Sequence, residues 1–185
     1  FADQPELLHA INTDLLRFNL GLLDLVFRRC VPTFMTIAED MSYNHGPMIS
    51  KRTFDAFVAP YYRALLPRLQ ERGVPLFMDT DGDVTLLVPW LLELGIQGVL
   101  PLERQAKVDG LKLRQRFPRL LMVGHFDNMT MNRGEAAMRA EFERLAPLIR
   151  SGGFIPSVDH QTPPRVSLSQ YPDYLPLLGE YTQVT

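Results

Sequence analysis

The sequence predicts an α/β fold in which a parallel β-sheet is covered by helices. Two observations lead to this prediction. Short apolar runs rich in Val, Ile, Phe and Met alternate with longer segments whose apolar residues recur at helical spacing. Polar residues follow directly after each short run, as they do at the carboxyl ends of parallel strands. About five strand–loop–helix units can be counted in this way.

The first predicted unit begins with a long helix. Asp3 and Glu6 have the spacing of a capping box, and an apolar stripe at helical spacing continues to Arg28. The first strand is predicted over residues 33–37, because this short run contains β-branched and aromatic residues. Two acidic residues follow it.

The next helix is predicted after a loop over residues 42–47. Ser50 is placed to cap this helix, which should end at Gly73 because glycine commonly follows a last helical turn. Four further strands are predicted over residues 74–78, 96–100, 120–123 and 153–156. The helices that follow them are predicted to end near Gly95 and to cover residues 109–117, 134–150 and 169–181. No linker interrupts this pattern, so residues 1–185 are predicted to form a single domain.

The composition restricts the classes of function and location. With 185 residues and a formal net charge of -2, the chain lacks the basic surface expected of a protein that binds nucleic acid or an anionic membrane. Cys30 is the one cysteine, which excludes an internal disulfide and a cysteine cluster for zinc, so we expect a reducing, cytoplasmic location. No apolar run reaches the ~20 residues of a transmembrane helix. Phe1 resembles a residue from the interior of a domain rather than the start of a signal sequence.

The polar residues that follow the predicted strands are mainly acids and histidines. They are Glu39, Asp40, Asp79, Asp81, Asp83, Glu103, His125, Asp127, Asp159 and His160. Because parallel strands end on the same side of a sheet, we expect these side chains to converge on one site. An aspartate after a strand also commonly caps the next helix, and Asp83 fits that structural explanation.

The chemistry of these side chains suggests a role for each within such a site. His125 and His160 are candidates for proton transfer, because imidazole titrates near neutral pH, and Asp127 is a candidate catalytic partner that orients one of them. Asp79 and Asp81 are expected to bind a metal ion or to form an anionic wall. The residues expected to bind substrate are Glu39, Asp40, Tyr43, Glu103 and Asp159.

Residues 79–83 read Asp-Thr-Asp-Gly-Asp, a pattern that three kinds of site share. A calcium loop does not fit, because the glycine is at the fourth position rather than the sixth and Trp90 occupies the twelfth. The nucleophile motif of haloacid-dehalogenase-type phosphatases is closer, with Asp79 as nucleophile and Asp81 as acid and base, but Asp83 stands where that motif has threonine. The third explanation is a pair of ligands for a metal ion or a polar substrate.

Several short stretches of the chain occur in a characteristic order and spacing. They are Glu39-Asp40-Met41 through Ser50, Ala59-Pro60-Tyr61-Tyr62, Asp81-Gly82-Asp83-Val84, Pro101-Leu102-Glu103, Gly124-His125-Phe126-Asp127, Gly152-Gly153-Phe154-Ile155-Pro156-Ser157, Asp159-His160 and Pro164-Arg165-Val166-Ser167. Together these stretches resemble the uroporphyrinogen decarboxylase superfamily over most of the chain. The resemblance implies a (β/α)₈ TIM barrel with its site at the carboxyl ends of the strands.

The resemblance also implies that the five units are an N-terminally truncated, C-terminal part of such a barrel. The first and last strands would then have open edges. We therefore expect the chain to need the missing N-terminal part of the barrel or a second copy as its partner.

The superfamily includes decarboxylases of an octacarboxylate tetrapyrrole and cobalamin-dependent methyltransferases. His160 resembles the histidine that lies near the substrate of the decarboxylases, and Asp127 resembles an aspartate of their site. The methyltransferases have a His-x-Cys-Gly stretch that binds zinc, and here Asp79 and Asp81 occupy the two ligand positions. Carboxylates favour harder divalent cations than thiolates do.

These comparisons favour a methyltransferase-like enzyme over a tetrapyrrole decarboxylase. Its substrate would be a small polar or cationic molecule, because an acidic site repels a polyanion. A divalent metal ion is the expected cofactor, and a corrinoid protein is the expected partner if the enzyme transfers methyl groups. A genuine uroporphyrinogen decarboxylase, a phosphatase and a non-catalytic fragment are the alternatives.

Overall fold

The computed structural model describes residues 3–183, so Phe1 lies outside the described part of the chain. Its centre is a five-stranded parallel sheet with the strand order β1-β4-β5-β6-β7. The strands are β1 (Met35–Ala38), β4 (Leu76–Asp79), β5 (Gly98–Leu102), β6 (Leu121–Phe126) and β7 (Phe154–Val158). A small antiparallel hairpin is formed by β2 (Ser42–Tyr43) and β3 (Gly46–Pro47).

Helices connect the strands of the parallel sheet. They are α1 (Pro5–Phe27), α2 (Lys51–Phe57), α3 (Ala59–Leu65), α4 (Pro67–Gln70), α5 (Val88–Glu93), α6 (Gly110–Arg116), α7 (Glu135–Arg150) and α8 (Tyr171–Thr182). A 3₁₀-helix covers Asn128–Arg133. The prediction of an α/β fold with a parallel sheet is confirmed.

The strand order distinguishes between the two architectures available to a parallel sheet. Doubly wound sheets reverse direction at a switch point, whereas each strand of a TIM barrel lies beside the previous one. In this sheet the five strands follow their order along the chain without a reversal. The arrangement therefore matches part of a TIM-like fold, and closure into an eight-stranded barrel stays a prediction.

The helices pack against one face of the parallel sheet. Alternate residues of the strands, among them Leu76, Met78 and Met122, belong to the buried core. Residues that point to the opposite face are exposed in β1, at Thr36 and Ala38, whereas Phe77 of β4 is buried against the ring of Phe34. The rings of Phe142 in α7 and Tyr174 in α8 complete the covered face, because they pack on Phe126 of β6 and on each other.

The long helix predicted after Ser50 is in fact three short helices. The cap itself is confirmed, because the Ser50 hydroxyl accepts a hydrogen bond from the Thr53 amide at 3.0 Å. Pro60 and Pro67 lie in the first turns of α3 and α4, where a missing amide hydrogen costs least, and each marks a new helix start. The capping box predicted at Asp3 is wrong: Gln4 is the N-cap residue of α1, and its side chain makes no capping bond.

The loop predicted over residues 42–47 is wrong as well, because these residues form the β2–β3 hairpin. The hairpin lies directly on the turn after β4. Gly82 has a φ of +83°, and a Cβ atom there would lie 2.5 Å from the Cα atom of Tyr43. Only glycine provides both this backbone conformation and this close approach.

The edge of β1 and the outer face of α1 are open in the described residues. Strand β1 pairs with β4 alone, and Phe34 beside it is half exposed. Helix α1 exposes a second apolar stripe, which consists of Leu7, Ile11, Leu15, Phe18, Leu22 and Leu25. The expected partner at this edge, further strands or a second copy, stays a prediction.

Within residues 3–183, every helix is too short or too polar to cross a membrane.

We predict that Gly82→Ala destabilises the protein by about 2–4 kcal/mol. The alanine would adopt a left-handed backbone conformation and push the hairpin away from the turn. Chemical denaturation of the variant measures this loss. The matched control is Gly179→Ala in α8, where a Cβ meets nothing within 4 Å and stability should be unchanged or up to about 1 kcal/mol higher. Equal stability of both variants would contradict the proposed packing of the hairpin.

Candidate active site

Three of the predicted site residues meet at the carboxyl ends of the strands. The Nε2 atom of His160 lies 3.6 Å from Oδ2 of Asp81 and 3.8 Å from Oε1 of Glu103. One ligand atom of each residue lies within 4.8 Å of the other two. The three residues follow β7, β4 and β5, so parallel strands bring together groups that are up to 79 positions apart in sequence.

Hydrogen bonds around the turn after β4 hold this cluster in place. The Gly82 amide donates to Oε2 of Glu103 at 2.7 Å, which leaves Oε1 facing His160. The Ser42 hydroxyl donates to the backbone carbonyl of Asp81 at 2.5 Å. The buried Thr80 hydroxyl accepts a hydrogen bond from the Met41 amide at 3.0 Å. The hairpin, the turn and the end of β5 are therefore fixed relative to one another.

Further carboxylates lie near the cluster on the β1 side. Burial and the negative charges of Asp81 and Asp40 raise the pKa of Asp79 above its ordinary value. Asp79 does not belong to the group of three whose ligand atoms converge. The predicted metal pair of Asp79 and Asp81 stays a prediction, and the ligand atoms that converge with that of Asp81 belong to Glu103 and His160. The Tyr62 hydroxyl donates a hydrogen bond to Glu39.

Glu103 is the least exposed member of the cluster, with 15% of its side chain accessible. Burial raises the pKa of Glu103, and the nearby Asp81 carboxylate adds to this effect. The hydrogen bond from the Gly82 amide and the imidazole of His160 act in the opposite direction. Glu103 therefore retains a proton to a higher pH than an ordinary glutamate does.

His125 does not reach this cluster, which corrects the predicted position of this residue. Its ring lies on the helix side of the sheet, where Nε2 accepts a hydrogen bond from the Gly110 amide at 3.1 Å and Nδ1 lies 3.2 Å from the Leu102 carbonyl oxygen. Burial and the positive charge of Arg144 lower the pKa of His125 to about 4. Both ring nitrogens are thus occupied in a neutral imidazole, so the position does not support a role in proton transfer.

Asp127 and Asp159 have structural bonds in the positions where catalysis or substrate binding was expected. Oδ1 of Asp127 accepts a hydrogen bond from the Met129 amide at 3.0 Å and caps the 3₁₀-helix. Asp159 is 1% exposed, and its two oxygens accept hydrogen bonds from the amides of Asn128 and Arg104 at 3.0 and 2.8 Å. Asp159 therefore joins the segments that follow β5, β6 and β7, directly before His160 in the chain.

The remaining predicted residues lie on the hairpin, after β1 and in the turn after β4. Tyr43 is half exposed on the hairpin, and its ring lies 5.5 Å from that of His45. Asp40 is exposed after β1. Asp83 accepts a hydrogen bond from the Thr85 amide at 2.9 Å within the loop, but it does not cap α5, whose N-cap residue is Leu87 and has no side-chain capping bond.

Sequence reasoning missed Tyr62 and Arg104. Tyr62 lies on α3, and no spacing in the sequence connects it with Glu39. Arg104 directly follows Glu103, and its opposite charge after a strand was the one signal that could have identified it.

The cluster has the donor chemistry of a divalent metal site. Two carboxylates and an imidazole are common ligands of zinc and of harder divalent cations. Ligand atoms about 2.1 Å from a tetrahedral metal ion are separated by about 3.4 Å, which is close to the 3.6 and 3.8 Å observed from His160. The Gly82 amide supplies the outer hydrogen bond that commonly orients a ligand carboxylate.

The sheet and the cluster define the class of this protein. It is a parallel α/β protein whose candidate site lies at the carboxyl ends of its strands, as in TIM barrels. Within this class, the family model described as Uroporphyrinogen decarboxylase (URO-D) matches residues 4–172. The chain therefore belongs to the uroporphyrinogen decarboxylase superfamily, as its short stretches predicted. No curated protein matches the chain significantly.

We predict that Asp79→Asn raises the melting temperature at pH 7 by about 1–2 °C, equivalent to about 0.5 kcal/mol. The folded-state pKa of Asp79 is raised, so its ionised carboxylate lowers stability at pH values above that pKa. As the pH falls through the raised pKa, the folded wild-type protein takes up a proton first and recovers this stability.

Melting curves between pH 7 and pH 3 measure the difference between the wild type and the variant, which should disappear at the acid end. Asp14→Asn on α1 is the control, since Asp14 lies 3.2 Å from Arg17 at an exposed position and should show no such gain. A lower melting temperature for Asp79→Asn at pH 7 would be the contrary result.

Proposed function

We propose that this chain forms the carboxyl-end site of an enzyme that binds a divalent metal ion together with a small polar or cationic substrate. Asp81, Glu103 and His160 would hold the ion. We assign the enzyme to the methyltransferase-like branch of its superfamily. The single observation that carries the proposal is the convergence of three metal-ligating side chains from separate strand ends.

A bound divalent cation would supply Lewis-acid chemistry or lower the pKa of a bound water molecule. The chain's own residues would position and tune that ion. Glu103 would present one oxygen to the ion while its other oxygen accepts the Gly82 amide. Asp79 and Asp40 would add negative charge beside the ion, which favours a cationic or neutral polar substrate over an anionic one.

The charge of the site also argues against a tetrapyrrole substrate. The octacarboxylate of that substrate would face Asp79, Asp81 and Glu103, and like charges at this range repel. Uroporphyrinogen decarboxylation therefore has less support than methyl transfer to or from a small molecule. A corrinoid protein is the partner that a methyltransferase of this superfamily would need.

The phosphatase alternative is not supported by the fold. Its nucleophile motif would use Asp79 and Asp81 as a pair, but the ligand atoms that converge with that of Asp81 belong to Glu103 and His160. The superfamily match covers that turn as well.

We predict that Mn²⁺ or Zn²⁺ binds the metal-depleted chain at one site, as isothermal titration calorimetry can measure. Glu103→Gln and His160→Gln should each weaken binding about 10- to 100-fold or more, because each removes one ligand. Affinity should fall as the pH drops through the raised pKa of Glu103, where protons compete with the metal ion for the carboxylate.

The matched control is Asp83→Asn. Asp83 lies two residues after Asp81, but its side chain caps the Thr85 amide, a role that asparagine can perform. Metal affinity of this variant should equal that of the wild type. The proposal is overturned if the wild type binds neither ion, or if Asp83→Asn loses as much affinity as Glu103→Gln.

A further inference from the structure

A polar cavity lies on the helix side of the sheet, separate from the acidic cluster of Asp81, Glu103 and His160. It has a volume of about 220 Å³ and is lined by Arg104, Asp109, His125, Arg144 and three leucines of α6 and α7. We call it the arginine cavity. The proposed metal site does not use any of these side chains. Glu103 and Arg104 are adjacent in sequence, yet Glu103 faces the acidic cluster whereas Arg104 lines the arginine cavity.

The charges around the arginine cavity do not balance. Arg144 is paired with Glu141 at 2.5 Å, and Lys112 lies 3.4 Å from Asp109. Within residues 3–183, Arg104 has no carboxylate partner in an ion pair. Glu141 also interacts electrostatically with Arg104, so two guanidinium groups share one carboxylate and one positive charge is left over at the wall of the cavity.

The hydrogen-bond donors of the Arg104 guanidinium group also lack a full set of acceptors. Its Nη1 atom makes a long hydrogen bond of 3.4 Å to the Val108 carbonyl oxygen. Its Nε atom is buried and is the one buried side-chain donor or acceptor in the described chain that has no hydrogen-bond partner. A buried N–H without an acceptor is costly, and small shifts of the side chain would let an added oxyanion accept from the guanidinium.

His125 completes the polar wall of the cavity. Its Nε2 atom accepts from the Gly110 amide at 3.1 Å and lies 3.3 Å from Nη1 of Arg144. The neutral ring holds the Arg144 side chain in place while Arg144 also donates to the His125 carbonyl oxygen at 2.7 Å. Two guanidinium groups are thereby kept at one small cavity, although they repel each other.

We propose that the arginine cavity binds a small oxyanion, a phosphate or a carboxylate group, through Arg104 with support from Arg144. The cavity is smaller than the ~300–1,000 Å³ typical of sites for drug-sized ligands, so it suits a single anionic group rather than a large molecule. Asp109 also lines the cavity, but its negative charge is already engaged by hydrogen bonds from the amides of Leu111 and Lys112 and by the Lys112 ammonium group at 3.4 Å.

The test measures binding of inorganic phosphate and of acetate to the complete chain by titration calorimetry. EDTA is present so that phosphate held by a metal ion does not contribute. The wild type should bind at least one of these anions saturably, and Arg104→Gln should weaken that binding at least about tenfold, the effect of losing a charged hydrogen-bond donor. Tighter binding of phosphate or of acetate then identifies the anionic group.

Two further variants keep the experiment decisive. Arg119→Gln is the matched control, because Arg119 is exposed and outside the cavity, and it should bind as the wild type does. Arg104→Lys keeps the charge but loses the planar fork, so its affinity should be intermediate, and it replaces Arg104→Gln if that variant fails to fold. The proposal is wrong if the wild type binds neither anion with a dissociation constant below about 10 mM, or if the folded Arg104 variant binds as tightly as the wild type.

Discussion

The hydrogen bond from the Gly82 amide to Glu103 is the contact on which the rest of the site depends. It joins the turn after β4 to the end of β5 and directs one carboxylate oxygen of Glu103 towards His160. The turn can make this bond because Gly82 adopts a left-handed backbone conformation beneath the β2–β3 hairpin. A local backbone requirement at one glycine is thus linked to the position of three candidate site residues. The same turn also supplies Asp81, so one short segment contributes both a candidate ligand and the amide that orients another.

Much of the fold was predictable from the sequence, because apolar runs and helical stripes reflect burial in a parallel sheet. The cap at Ser50 and the positions of the five parallel strands followed from local patterns. The β2–β3 hairpin did not, since a two-residue strand with no apolar alternation has no periodic signal. The start of α1 was misplaced because the spacing of Asp3 and Glu6 does not determine whether a side chain turns back to the helix.

The candidate site was predictable as a region but not as a set of contacts. The prediction that polar side chains converge at the strand ends is correct for Asp81, Glu103 and His160. His125 was misplaced because β6 extends to Phe126, beyond the predicted end at residue 123, so His125 lies within the strand. Positive φ angles at both Gly124 and His125 also break the regular alternation of side chains, which no sequence pattern indicates. Asp159 lies next to the site, as its sequence position suggested, but both of its carboxylate oxygens already accept hydrogen bonds from backbone amides.

The structure has two polar regions of opposite charge, one at the carboxyl ends of the strands and one on the helix side of the sheet. Acidic groups and His160 face the strand ends, whereas Arg104 and Arg144 face the helices. The Arg104 amide donates to Asp159, the residue before His160, so the two regions share a backbone connection. This separation keeps the arginines from neutralising the carboxylates that would hold a cation.

The most direct measurement of the central claim is anomalous X-ray diffraction from a crystal of the protein soaked in Mn²⁺. Our account predicts a single strong peak about 2.0–2.4 Å from an oxygen of Asp81, an oxygen of Glu103 and Nε2 of His160. A fully occupied peak elsewhere, or no peak between these three side chains at saturating Mn²⁺, would contradict it.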